Sequence, residues 1–229
     1  MEVSEALGTA EIAQKERIRV LLVDDHDLFR TGLRNLLEEQ GVDVIGEAAA
    51  GGEALEHVRE LQPEVVVMDL NMPGMNGVEA TKRITSFAPL TRVVVLTISD
   101  QDGDVMDAIF AGACGYLLKD ASIQDVVQGI RSAAVGESLI SPTIAAKVLE
   151  RLRATGTSPE AAETVRAELS DREIDVLKLI ANGKDNAQIA GELHISPKTV
   201  KNHISNILMK LQIENRIQAA VYAVRSGIV

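Results

Sequence analysis

The stretch "RVLLVDDHDLF", Arg19 to Phe29, runs an apolar segment into three acids, Asp24, Asp25 and Asp27, within four positions. Two carboxylates about 4 Å apart repel by roughly 4 kcal/mol at an effective dielectric near 20, so a counter-charge must be close. Other apolar runs end in polar residues too: "VVVMDL" in Asp69, "VVVLTI" in Thr97 and "GYLLKD" in Lys119. If these runs are parallel strands, an acid pair, an acid, a hydroxyl and a lysine converge on one rim. Such a set suits transfer of a phosphoryl group to a carboxylate. Oxygen-only ligands point to Mg2+, held by Asp25, Asp69 and a carbonyl from Asn71, with Asp24 acting through water. Lys119 and the Thr97 hydroxyl would take up the remaining phosphoryl charge, leaving an oxygen of Asp69 as nucleophile. A plainer alternative is a solvated strand end with Asp27 capping the next helix.

The elements that must position these groups follow from periodicity. From Arg17 to about Leu139, "IRVLLVD", "VDVIGEA", "EVVVMDL", "RVVVLTI" and "GYLLK" alternate with helical patterns, of which Leu28, Phe29, Leu33, Leu36 and Leu37 are one stripe. That order predicts an α/β fold, a doubly wound five-stranded parallel sheet whose ligands bind beyond the carboxyl ends of the strands. The 229 residues suffice for two small domains, each with a core. No apolar run is long enough to span a bilayer, and "MEVSEALGTAEIAQKE" lacks the order of a secretory signal, which leads us to expect a cytoplasmic protein without membrane contact. The single cysteine, Cys114, excludes an internal disulfide and reads as a small packing residue.

Charge divides unevenly. Residues 1–150 carry 12 Lys and Arg against 25 Asp and Glu, whereas residues 164–229 carry nine against seven, net −13 and +2. Different partners are implied for the two halves. Between the domains, assigned to 17–139 and 164–229, residues 140–163 read as a helix begun by Ser141 and Pro142 and then a linker. The C-terminal segment is expected to be all-α, with four helices: "SDREIDVLKLIANG", "DNAQIAGEL", "SPKTVKNHISNILMKL" and "ENRIQAAVYAVRSG". The second and third are joined by "HIS", a turn short enough for a helix-turn-helix. No carboxylate lies between Glu192 and Glu214. Lysines and asparagine in the N-terminal half of the third helix suit major-groove readout, while the bland alternative is a solvated face. In the last helix Ile213, Ile217, Ala220, Val221 and Val224 make a stripe that serves either as core or as an interface.

Residues 17–139 resemble a response-regulator receiver domain, on the acid pair Asp24 and Asp25, Asp69 followed by "NMPGMNG", Thr97, and "GYLLK" with Tyr116 three positions before Lys119. The segment from Leu169 to Val224 resembles the LuxR-type DNA-binding domain. Together they are similar to a two-component response regulator of the NarL/FixJ type. The resemblance implies phosphorylation of Asp69 by a sensor histidine kinase and inward movement of Thr97 and Tyr116 as switch residues. It further implies a phosphorylation-dependent homodimer on inverted-repeat sites in double-stranded DNA, regulating transcription. Lys201, Asn202 and Ser205 would face bases, and Lys198, Thr199, His203 and Lys210 would lie at the backbone. Ile213, Ile217, Ala220, Val221 and Val224 would in part pair across a twofold axis. An acidic receiver is expected to dock against the basic recognition helix or repel DNA from it. A rival resemblance, to haloacid-dehalogenase-type phosphatases, rests on Asp25-x-Asp27 and leaves Asp69 without a task. Another alternative is a regulator that dimerises and binds DNA without phosphorylation.

Overall fold

The computed structural model describes residues 17–99, 101–140, 148 and 169–229; the expected helix and linker at 140–163 lie outside these apart from Ile140 and the helical Val148. The first strands and helices are β1 (Arg19–Val23), α1 (Asp27–Glu39), β2 (Asp43–Ala48), α2 (Gly51–Leu61), β3 (Val65–Met68) and α3 (Gly77–Phe87). They are followed by β4 (Arg92–Thr97), α4 (Asp102–Phe110), β5 (Gly115–Leu118), α5 (Ile123–Ala134) and the short β6 (Leu139–Ile140). All strand pairs are parallel, in the order β2-β1-β3-β4-β5-β6. The five expected strands are present. The two-residue β6 adds a sixth at the edge, beside Gly115 and Tyr116, because the chain leaving α5 runs back along β5.

Alternation along each strand sends successive side chains to opposite faces. On one face Val20, Leu22, Val65, Val67, Val94 and Leu96 pack with Leu33 and Leu37 of α1 and with Val126, Val127 and Ile130 of α5. On the other, Leu21, Val23, Val66, Met68 and Val93 meet Ala54, Leu55 and Val58 of α2 and Ala80 and Ile84 of α3. Each such branched side chain contributes about 1.5–3 kcal/mol by leaving water. Strand order reverses between β1 and β3, and a crevice opens there at the carboxyl rim.

The C-terminal helices are α6 (Asp171–Ala181), α7 (Asn186–Leu193), α8 (Pro197–Lys210) and α9 (Arg216–Arg225). Capping boxes at Ser170 with Glu173 and at Asp185 with Gln188 begin α6 and α7. Ser196 caps α8 with Pro197 in its first turn, and Asn215 caps α9. Val176, Leu177, Ile180, Ile189, Val200, Ile204 and Ile207 form a separate core. Among the described residues no helix is long and apolar enough to cross a membrane.

Candidate functional site

Sheet register brings the polar residues together. Val23 lies beside Met68, and the Asp69 amide donates to Val23 O at 2.9 Å, so Asp24 and Asp69 leave the sheet side by side. Thr97 is paired with Leu118, and the Lys119 amide donates to Thr97 O at 2.9 Å. A further constraint comes from α3, whose first residue presses on the chain at the end of β3. A Cβ on Gly77 would lie 2.0 Å from the carbonyl oxygen of Asp69, which only glycine avoids.

Asp24, Asp69 and Thr97 are buried. Lys119 Nζ bridges the two acids, 2.6 Å from Asp24 Oδ2 and 2.8 Å from Asp69 Oδ2, and sits 4.7 Å from the centre of the Phe29 ring. Burial pushes its pKa down, but the hydrogen bonds to Asp24 and Asp69 outweigh this and hold it above the ordinary lysine value. The cost of packing two carboxylates under the sheet rim is thereby offset by one ammonium. Asp25 Oδ1 is shut from solvent without a hydrogen bond; His26 Nδ1 lies 2.9 Å away. Ligand atoms of Asp24, Asp25, His26 and Asp69 all fall within 4.8 Å of one another. An orphaned carboxylate oxygen within an oxygen-rich cluster fits a hard divalent cation such as Mg2+. Asn71 belongs to this rim through its amide, 3.4 Å from Asp69 Oδ1.

His26 is the member not anticipated from the sequence. Asp27 does not join the cluster. It starts α1, is 87% exposed and pairs with Arg30 at 2.6 Å, which removes the Asp25-x-Asp27 arrangement of the phosphatase reading. Tyr116 is already inside, fully buried in a cluster with Val95, Val105, Val148 and Ile217, with its hydroxyl donating to Ser99 O at 3.0 Å. Cys114 is buried against Val93 O, and burial pushes its thiol up to about 12, which makes it inert.

In the second domain, residues 194–196 form the turn between α7 and α8, with His194 in the left-handed region that ends α7. Lys198, Lys201, Asn202 and Ser205 are exposed on α8, whereas Thr199 and His203 are half-buried and the Thr199 hydroxyl lies 2.8 Å from that of Ser196. The Lys210 side chain is exposed, and its ammonium lies 2.7 Å from Oε2 of buried Glu173. Burial raises the Glu173 pKa, but hydrogen bonds from Lys210 and Ser170 more than reverse this and hold it below the carboxylate range. The apolar stripe expected in α9 splits in two. Ile217, Val221 and Val224 pack on receiver residues Val105, Met106, Ile109 and Tyr116, while Ile213 and Ala220 pack in the helical domain's own core. Ile213 leaves the stripe because it precedes the helix, which starts at Arg216, and Ala220 because it sits at the stripe's edge, about 100° round the helix from Val221.

Comparison with known proteins agrees with this geometry. Residues 20–131 match the profile described as "Response regulator receiver domain", and residues 167–223 that of "Bacterial regulatory proteins, luxR family". The chain is 46% identical over 213 residues to the transcriptional regulatory protein LiaR of Bacillus subtilis (strain 168), covering 93% of this chain and 99% of that protein. It is 39% identical over the same shares to the response regulator protein VraR of Staphylococcus aureus (strain NCTC 8325 / PS 47). Among solved structures it resembles the response regulator ChrA of a heme-sensing two-component system, with 32% identity, TM-score 0.51, and 93% and 99% of the two chains covered. It also resembles RcsB in a structure of two dimers bound to two parallel DNAs, with 25% identity, TM-score 0.53 and coverage of 92% and 99%. With both domains matched in order over nearly the whole length of its relatives, the chain belongs to the transcriptional response regulators that join a receiver domain to a LuxR-type DNA-binding domain.

Proposed function

We propose that Asp69 accepts a phosphoryl group from a sensor histidine kinase and that the product favours a homodimer on inverted-repeat double-stranded DNA. The observation that carries this reading is the Lys119 bridge between buried Asp24 and Asp69 at the strand switch point. An oxygen of Asp69 attacks phosphorus while the bond to the donor's imidazole nitrogen breaks. Lys119, already charged, then turns from the carboxylate to a phosphoryl oxygen, and the Thr97 hydroxyl donates to another. Mg2+ held by Asp24, Asp25, Asp69 and the Asn71 carbonyl would neutralise phosphoryl charge. The domains are taken as 17–139 and 164–229, working in the cytoplasm.

On the DNA side, Lys201, Asn202 and Ser205 are the base-facing residues and Lys198, Thr199 and His203 lie along the backbone. Their exposure on α8 supports the first set. The pairing of Lys210 with Glu173 gives that lysine a structural duty besides any phosphate contact. The test is uptake of phosphate from acetyl phosphate followed by intact mass. The full-length protein should gain one phosphoryl group with Mg2+ present and none in chelator. Asp69→Asn should gain none, and a mass gain persisting in that variant would overturn the assignment.

A further inference from the structure

Arg30, at the end of the first turn of α1, holds the acidic loop from behind. Its side chain is only 13% exposed, and each of its three nitrogens donates to a different part of the chain. Nη1 reaches the carbonyl oxygen of Asp24 at 2.6 Å, Nη2 the carboxylate of Asp27 at 2.6 Å, and Nε the carboxylate of Glu47 at 2.9 Å. The first two acceptors bracket Asp25 and His26, and the third belongs to β2. Glu47 is aimed at α1 by an irregularity in the sheet: Val20 pairs with Val44 but Leu21 with Gly46, so Ile45 is an extra residue on β2. Val44 and Glu47 are three positions apart, which plain alternation would send to opposite faces; the bulge puts both on the α1 side. Burial pushes the Glu47 pKa up, but hydrogen bonds from Arg34 and Arg30 outweigh this and hold it below the ordinary glutamate value, so it meets both arginines as a carboxylate.

We infer that Arg30, anchored by Glu47, is a positioning residue for the divalent cation site, setting the place of Asp24 and Asp25 without touching the ion. The inference rests on the reading above that Asp24, Asp25 and Asp69 hold Mg2+, and deepens it. The Asp24 amide makes its bond to the sheet at Ala48 O, 3.0 Å away, and the chain then turns out of β1. From there the loop is fastened by the His26 amide, which donates to Asp24 Oδ1 at 2.9 Å, and by the guanidinium on the Asp24 carbonyl. A planar guanidinium holds three acceptors in one fixed fork, which an ammonium on a flexible stem does not. Bonds from a charged donor are also about twice as strong as neutral ones. Mg2+ demands near-ideal octahedral geometry, so carboxylates spaced in advance favour its binding and a loosened loop weakens it. Charge alone gives the opposite expectation, because removing a cation from beside the site would tighten the binding of another. The direction of the change therefore separates positioning from simple repulsion.

The test titrates the full-length protein with Mn2+, which shares the oxygen-ligand preference of Mg2+, without any phosphoryl donor. Free Mn2+ is read by its electron paramagnetic resonance signal, and Mg2+ is used to displace the bound ion. Arg30→Met should bind about tenfold more weakly than the parent protein, the usual effect of losing a residue that supports metal ligands. Arg34→Met is the comparison, since Arg34 shares Glu47 at 2.6 Å but takes Glu38 as its other partner. Its loss should leave Mn2+ affinity within about twofold, as expected for a largely exposed ion pair. Arg30→Lys keeps the charge and loses the fork, so it should bind about threefold more weakly; if Arg30→Met does not fold, this variant decides. Unchanged or tighter binding in either Arg30 variant overturns the inference, as does an equal loss in Arg34→Met. A parent protein that binds no Mn2+ would instead sink the cation reading itself, and this inference with it.

Discussion

Lys119 neutralises two buried acids at once, which makes it the residue whose loss is most informative. Lys119→Met leaves Asp24 and Asp69 buried with no cation between them, and breaking a buried pair in this way costs about 3–5 kcal/mol. Thermal unfolding should show that loss, and added Mg2+ should recover more stability in the variant than in the parent protein, because the ion replaces the missing charge. Equal magnesium effects on both proteins would argue against the acidic rim as a cation site. That Asp69, Lys119 and Thr97 share one rim was legible in the sequence because each ends an apolar run, and parallel pairing puts strand ends together. His26 was not, since nothing in "DDHD" says which side chains turn back over the cluster. The pairing of Lys210 with Glu173 was not legible either, because the two residues stand 37 positions apart in the sequence.

Helices here are positioned by contacts at their ends. Gly77 allows α3 to begin against the Asp69 carbonyl, and Gly77→Ala forces a Cβ into backbone. A loss of about 1–3 kcal/mol in stability is expected, together with impaired phosphate uptake as Asp69 shifts; unaltered uptake would show that the acceptor tolerates the displacement. In the helical domain Glu173 ties the start of α6 to the end of α8 through Ser170 and Lys210. Its folded pKa is depressed, so its contribution is complete above the ordinary glutamate value and is lost as pH falls through the lowered folded value. Glu173→Gln should lower stability by about 1–3 kcal/mol at neutral pH, with the gap from the parent protein closing in acid. On the exposed side of α8, Lys201→Ala should weaken a selected site by about 1–3 kcal/mol while changing random DNA far less. Equal losses on both would refute the base-facing register. The starts of α6 and α8 were readable in advance because Ser170 and Ser196 cap as their residue types suggest, and Asp185 and Asn215 cap α7 and α9 in the same way.

At the scale of the whole molecule, two cores are joined by a contact whose residues had ordinary local explanations. Asn215 is a good helix cap and Gln218 a common helical residue, and Ile217 with Val221 would suit a core, a dimer or a docking site equally well. Periodicity states that a face is buried but not by what, so the receiver's hold on α9 emerged only from the assembled chain. We expect phosphorylation to act on a balance between the unphosphorylated form and a dimer of this chain. Phosphate on Asp69 needs to bias that balance by only a few kcal/mol to change which state prevails. The most direct measurement is binding of the full-length protein, at one salt concentration, to a two-half-site duplex selected from a random pool, with and without acetyl phosphate and Mg2+. The account predicts that phosphoryl donor tightens binding to this duplex and raises its cooperativity, and that Asp69→Asn shows neither change. Equal affinity of the treated and untreated protein, or tightening that persists in Asp69→Asn, would contradict it.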